Sequence, residues 1–204
     1  MALRVGVLAS GGGTNLQALL DQVHGTDVEI VAVASDHPEA RALERAAEAG
    51  VPARVFARAD FADRPARDAA IADWLDERRV ELVVLAGYMA LLGPAFIGRF
   101  ADRVINVHPS LLPAFGGLHA VEQAVDYGVR VFGVTVHFVD EGVDTGPIIL
   151  QRAIELPGAS DPGAVLAALR PLEHALLPEA VRLIAAGRVR RDPSHPRRVL
   201  VDPA

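Results

Sequence analysis

Apolar residues along the chain fall into short blocks with two different spacings. Arg4–Ala9 is a β-branched run ending at glycines, which predicts a buried strand. Asn15–Val23 follows with Leu16, Leu19, Leu20 and Val23 at helical spacing. The alternation then repeats. Glu29–Ser35 reads as a strand and Glu39–Ala49 as an alanine-rich helix closed by Gly50. Ala53–Phe56 is a weaker strand, Arg64–Arg78 a third helix, and Glu81–Ala86 a strongly apolar strand. A short helix over Pro94–Phe100 leads to a strand at Val104–Val107. Strand and helix joined by short connections predict an α/β fold: a Rossmann-like, mostly parallel sheet with helices on both faces.

After Asn106 the rhythm changes. Val129–Phe138 and Ile148–Glu155 predict two strands joined through a polar, glycine-containing segment, an antiparallel C-terminal extension of the sheet. Asp161 caps a last helix with Pro162 in its first turn. Pro171 and Pro178 fall inside that apolar run, so a kink or break before Ala186 is expected. The tail from Arg188 is basic and proline-rich, with one strand-like stretch at Val199–Val201. No repeat or linker divides the chain, and 204 residues are expected to form one domain.

Composition narrows the function. A net charge of -6 argues against nucleic acid as a main partner, since phosphate readers usually carry a basic face. With no cysteine, thiolate catalysis, disulfides and cysteine-ligated zinc drop out. The N-terminal run is too short for a signal peptide, and no window approaches a membrane span, so a cytoplasmic protein without membrane partners is expected.

Three stretches carry candidate chemistry. Ser10-Gly11-Gly12-Gly13-Thr14-Asn15 joins the first strand to the first helix, where glycines free the backbone and helix-start N–H groups face an anion. It lacks the lysine of a P-loop and the third glycine of a dinucleotide fingerprint. It reads as a tight turn or, from its place at the strand tip, as a phosphate monoester site. Asn106 and His108 share one face of a strand that Pro109 ends. Asn106 offers an amide to a developing oxyanion. The segment Asp140–Gly146 gathers three carboxylates, one of which can orient the imidazole and offset its charge. No dense ligand set suggests a metal. His137 reads as a packed or partly exposed strand residue, and His119 as a candidate to approach a ligand. His24, His37 and His195 read as surface residues.

The run Ile105-Asn106-Val107-His108-Pro109-Ser110-Leu111-Leu112-Pro113-Ala114-Phe115, then Gly117–Ala120 and Gly133–Ile148, resembles the phosphoribosylglycinamide formyltransferases, folate-dependent enzymes of purine synthesis. The resemblance runs from the glycine loop to Glu173. It implies a formyltransferase fold with a phosphate-binding half (1–100) and a catalytic and folate-binding half (101–204). It implies that Asn106, His108 and Asp144 are catalytic and that Gly13, Thr14 and Asn15 hold the substrate phosphate. Glu173 would lie beside the substrate amine. The co-substrate implied is 10-formyltetrahydrofolate, contacted by Arg64, by Met89, Ala90, Leu91 and Leu92, by Asn106, and by Val139, Asp140, Glu141, Gly142, Val143 and Asp144. The other small-molecule partner is glycinamide ribonucleotide, with no metal, and the chain is a monomer or homodimer.

Three positions depart from that pattern. Ala90 stands where many relatives have arginine, Gly116 replaces a usual proline, and Pro171 lies next to the Glu173 motif. Methionyl-tRNA formyltransferase is a rival with a similar core, but it carries a further C-terminal domain and a basic surface. Formyltetrahydrofolate deformylase shares the Asn/His/Asp set and carries an extra N-terminal domain, whereas here the catalytic fold is expected to begin at Arg4. A non-catalytic folate- or nucleotide-binding protein needs no such acid/base set.

Overall fold

A computed structural model describes residues 2–202, which pack as two compact units divided between Ile105 and Asn106. In the first unit β1 (Leu3–Leu8), α1 (Thr14–Gln22), β2 (Val28–Ser35), α2 (Arg41–Glu48) and β3 (Ala53–Val55) follow one another as the pattern predicts. After a 3-10 turn at Arg58–Asp60 come α3 (Arg64–Glu77), β4 (Leu82–Leu85) and α4 (Pro94–Arg99). These strands run parallel in the order β3-β2-β1-β4, with Val7 opposite both Val33 and Val84. Val5, Val7, Leu8, Val33, Val83 and Val84 are almost wholly buried, as befits a sheet covered by helices.

The chain fills the sheet on one side of β1 and then returns to place β4 on the other. The connections after β1 and β4 therefore leave from neighbouring carboxyl ends, the switch point where α/β sheets hold ligands. Asp63 caps α3 by accepting from the Ala66 N–H at 2.8 Å.

The second unit contains most of β5 (Val104–His108), then α5 (Ala120–Tyr127), β6 (Val131–Phe138) and β7 (Ile148–Glu155). It closes with α6 (Pro162–Ala185), β8 (Val189–Arg191) and β9 (Val199–Val201). β6 and β7 pair antiparallel, as expected for the extension. α5 escapes the sequence reading because it is short and begins at His119, a left-handed residue without a capping side chain.

Pro171 and Pro178 do not interrupt α6, which is assigned as one helix of 24 residues. An interior proline forfeits one hydrogen bond and crowds the preceding turn, at about 3 kcal/mol. Here Val165, Leu169, Leu176, Leu177, Ala180 and Val181 are buried along the helix, which packs on β6 and β7. That burial outweighs the local preference to break. The basic tail forms a hairpin, β8 pairing with the foreseen β9 strand.

Candidate active site

In the first unit the glycine loop leads into α1 with Gly13 as its N-cap, at φ 66°. A Cβ on Gly13 would lie 2.7 Å from the Ala42 Cα, so sterics as well as backbone angle demand glycine there. Gly11 and Gly12 face open space instead. Their carbonyls are turned to α2: Ala42 N–H donates to Gly11 at 3.1 Å, and Arg45 Nε to Gly12 at 2.9 Å. With those carbonyls held back, it is the N-terminal turn of α1 that the loop presents, the end of a helix that can face an anion. Thr14 is half-buried at this helix start, whereas Asn15 is buried.

The segment after β4 is fastened to the same loop. Ser10 N–H donates to the Gly87 carbonyl at 3.0 Å, and Met89 N–H donates to Ser10 Oγ at 2.8 Å. Two buried charges that sequence reasoning missed hold its far end. Arg67 pairs with Asp68 at 2.9 Å and donates to the Leu91 carbonyl at 3.1 Å, while Asp68 Oδ2 accepts the Gly93 N–H at 2.7 Å. A fixed backbone thus presents the exposed Met89 and Leu91 side chains, with Ala90 and Leu92 half-buried between. The exposed Arg64 reaches back towards Gly93. Adjacent unlike charges on a helix usually signal a solvated face, so only tertiary packing could reveal Arg67 and Asp68 as buried.

In the second unit β5 delivers Asn106, half-buried, and His108, buried, to one carboxylate. Asp144 Oδ2 lies 3.3 Å from His108 Nδ1, and Asp144 Oδ1 accepts from Asn106 Nδ2 at 3.2 Å. The Gly117 N–H also donates to Asp144 Oδ2 at 2.8 Å. His108 Nε2 is 2.9 Å from the Phe115 carbonyl. Both ring nitrogens therefore face oxygen acceptors, an arrangement that an imidazolium with two N–H groups satisfies.

His137 is the packed strand residue of the two alternatives, 1% exposed, and it joins this cluster. Its Nδ1 lies 2.8 Å from the Phe138 carbonyl. Its Nε2 lies 3.3 Å from Asn106 Nδ2 and 3.5 Å from Asp144 Oδ1. The period-two pattern of β6 put His137 on a buried face, but only the fold shows what it meets. Burial raises the Asp144 carboxyl pKa. Hydrogen bonds from His137 and the Gly117 N–H, with the charges of His108 and His137, outweigh that and hold it below its ordinary 3.8.

The loop from Val139 to Gly146 is closely fitted. Asp140 accepts from the Gly142 N–H at 3.1 Å and from Thr145 Oγ1 at 2.6 Å. A Cβ on Gly146 would lie 1.7 Å from the Phe138 carbonyl oxygen, so only glycine follows Thr145. Asp144 adopts φ 52°, a strained angle for a non-glycine that surrounding contacts must enforce. Glu141 and Val143 point to solvent.

Glu173 lies half-buried on α6, separate in sequence from the trio. His119 is exposed, 3.5 Å from Glu122. His37 and His195 are exposed as expected, but His24 is half-buried and accepts the Ile30 N–H at 3.0 Å through Nδ1. At Gly116 an added Cβ would meet its nearest atom, the Asp144 Cβ, at 3.7 Å, an ordinary contact. Among the described residues no His/Cys/Asp/Glu group is arranged to hold a metal ion, and no helix is long and apolar enough to cross a membrane.

Residues 3–181 match the family model described as formyl transferase. The chain is 44% identical over 192 residues to the trifunctional purine biosynthetic protein adenosine-3 of Drosophila pseudoobscura pseudoobscura, covering 92% of this chain but only 14% of that longer protein. It is 40% identical to the phosphoribosylglycinamide formyltransferase of Haemophilus influenzae, covering 92% of this chain and 89% of that one. A crystal structure of glycinamide ribonucleotide transformylase 1 from Symbiobacterium toebii superposes with a TM-score of 0.94 at 45% identity, over 98% of this chain and 94% of that one.

Proposed function

The chain belongs to the formyl transferase family, and from that membership we propose that it transfers the formyl group of 10-formyltetrahydrofolate to the amine of N1-(5-phospho-D-ribosyl)glycinamide, a step of de novo purine synthesis. The observation that carries this reading is the convergence of Asn106, His108 and Asp144 at 3.2–3.3 Å. Residues 1–100 are read as the phosphate-binding half and 101–204 as the catalytic and folate-binding half of one formyltransferase domain acting in the cytoplasm.

The substrate amine attacks the formyl carbon, and the C=O electron pair moves to oxygen, giving a tetrahedral oxyanion. Collapse re-forms C=O and expels the folate nitrogen, which takes a proton while the attacking nitrogen loses one. No covalent enzyme intermediate is required. His108 supplies the charge and the proton: its Nε2–H, now given to the Phe115 carbonyl, turns to the oxyanion and then to the departing nitrogen. Asp144 fixes the ring and balances its charge through Nδ1. Asn106 Nδ2 makes two inward contacts, to Asp144 Oδ1 at 3.2 Å and to His137 Nε2 at 3.3 Å, both long. Donation to the oxyanion gives up one of them.

Gly13, Thr14 and Asn15 take the phosphate, and Glu173 lies on the amine side. The family likeness assigns folate contacts to Arg64 and Met89–Leu92, and separately to Asn106 and Val139–Asp144. Ala90 leaves a donor contact there to the backbone. Replacing Gly13 by aspartate puts a side chain against Ala42 and a negative charge in the anion cradle. The expected result is a KM for the ribonucleotide raised at least about tenfold, equivalent to about 1.4 kcal/mol, measured by steady-state kinetics; unchanged affinity removes the phosphate assignment.

The assay that tests the reaction follows loss of the formyl group from 10-formyltetrahydrofolate with and without glycinamide ribonucleotide. Transfer that depends on the ribonucleotide is expected. Hydrolysis regardless of it makes the chain a deformylase, and no turnover makes it a binding protein.

A further inference from the structure

The matched family region ends at residue 181, before the C-terminal hairpin begins. Yet that hairpin reaches the loop that carries Asp144. Its strands pair Val189 with Val201 and Arg191 with Val199, and β9 lies beside β7. The Asp192 N–H donates to the Arg198 carbonyl at 3.0 Å, Arg188 Nη2 to the Asp202 carbonyl at 2.6 Å, and Arg191 Nη2 to the Pro196 carbonyl. Within this braced turn Arg197 points at the active-site loop, and its Nη2 donates to the Thr145 carbonyl at 2.8 Å across 52 residues of sequence.

Thr145 is well placed to transmit such a contact. Its backbone directly follows Asp144, whose left-handed φ of 52° needs external restraint. Its side chain is tied to Asp140 at 2.6 Å, and the next residue, Gly146, is pressed on the Phe138 carbonyl. The Thr145 side chain and Gly146 are therefore fixed from within the loop, and Arg197 fixes the Thr145 carbonyl from outside it.

We propose that Arg197 is a positioning residue for formyl transfer: through the Thr145 carbonyl it holds Asp144 at the distance from His108 that the reaction needs. The hairpin is thus a strut for the catalytic loop. This rests on the transfer reaction proposed above. A carboxylate displaced by a fraction of an ångström orients the imidazole less well, so the loss falls on kcat more than on substrate binding.

The test uses the full chain as wild type, Arg197→Met and Arg197→Lys, each alone and with Asp144→Asn. Arg197→Met is expected to lower kcat about tenfold with little change in KM for the ribonucleotide, and Arg197→Lys, which keeps a cationic donor, to recover most of that loss. In the Asp144→Asn background Arg197→Met is expected to cost nothing further, because the residue it positions is already gone. A second readout needs no activity. The Asp144 carboxyl carbon, followed by NMR, should titrate below the ordinary carboxylate range in wild type and move towards that range in Arg197→Met. Unchanged kcat, equal losses with and without Asp144, or an unmoved Asp144 titration each overturns the proposal. If the wild type transfers no formyl group the reaction assignment fails by itself, and the carboxyl titration still decides what Arg197 does.

Discussion

Replacing His108 by alanine lowers turnover about a hundred- to a thousandfold, the usual cost of removing one donor to a developing oxyanion and equal to about 3–4 kcal/mol of barrier. The ring occupies a position no other group can cover. It is 6% exposed, Nδ1 faces Asp144 at 3.3 Å, and Nε2 lies 2.9 Å from the Phe115 carbonyl, the position from which the proposed mechanism has it turn to the substrate. Alanine removes the imidazole that faces Asp144, and Asn106 and the Gly117 N–H, which also serve that carboxylate, face inward. The loss should appear in kcat, since the oxyanion forms only after binding. Steady-state kinetics on a variant that keeps the wild-type circular dichroism spectrum checks it. A variant within threefold of wild type removes His108 from the mechanism.

Asp144→Asn is expected to cost at least about a hundredfold in turnover, by analogy with loss of the orienting carboxylate in catalytic triads. The substitution keeps shape and removes charge. An amide at this position cannot accept from His108 Nδ1, Asn106 Nδ2 and the Gly117 N–H together with full strength, and it no longer balances an imidazolium. The same variant has a second signature. The folded-state carboxyl lies below its ordinary 3.8, so the stability it contributes is present above that value and is lost as pH falls through the lower folded-state value. In wild type, acid titration of unfolding free energy therefore includes a drop below about pH 4. That part of the drop should be missing in Asp144→Asn. A variant with the same acid profile as wild type would show that the carboxylate is not held as described, and one with full turnover that it is not needed.

Much of the first unit was legible because its signals are local. Parallel strands buried on both faces are written as continuous apolar runs, and Gly50 marks a helix end by its backbone freedom alone. The glycine loop announced itself by composition, although only packing against Ala42 shows that Gly13, unlike Gly11 and Gly12, is sterically compelled. The second unit was harder to read. α5 gives a weak pattern of eight residues, β8 was hidden in a proline-rich basic stretch, and the prolines of α6 suggested a break. In the helix, burial outweighed local propensity, and long-range contacts carry no signature in neighbouring residues.

For the site, the sequence by itself determined the chemical types available: no thiolate, a neutral amide and an imidazole two residues apart, a distant acidic loop, and a likeness specific enough to name a family. The tertiary structure alone decided their company. It brought Asp144 to His108 across 36 residues of chain (144 less 108) and buried His137 beneath Asn106 and Asp144. It also set Arg67 and Asp68 under the Met89–Leu92 segment and laid Arg197 on Thr145. Residue types and local spacing are properties of neighbouring positions, whereas the partner of a buried charge depends on which distant segments the packing of the core makes adjacent.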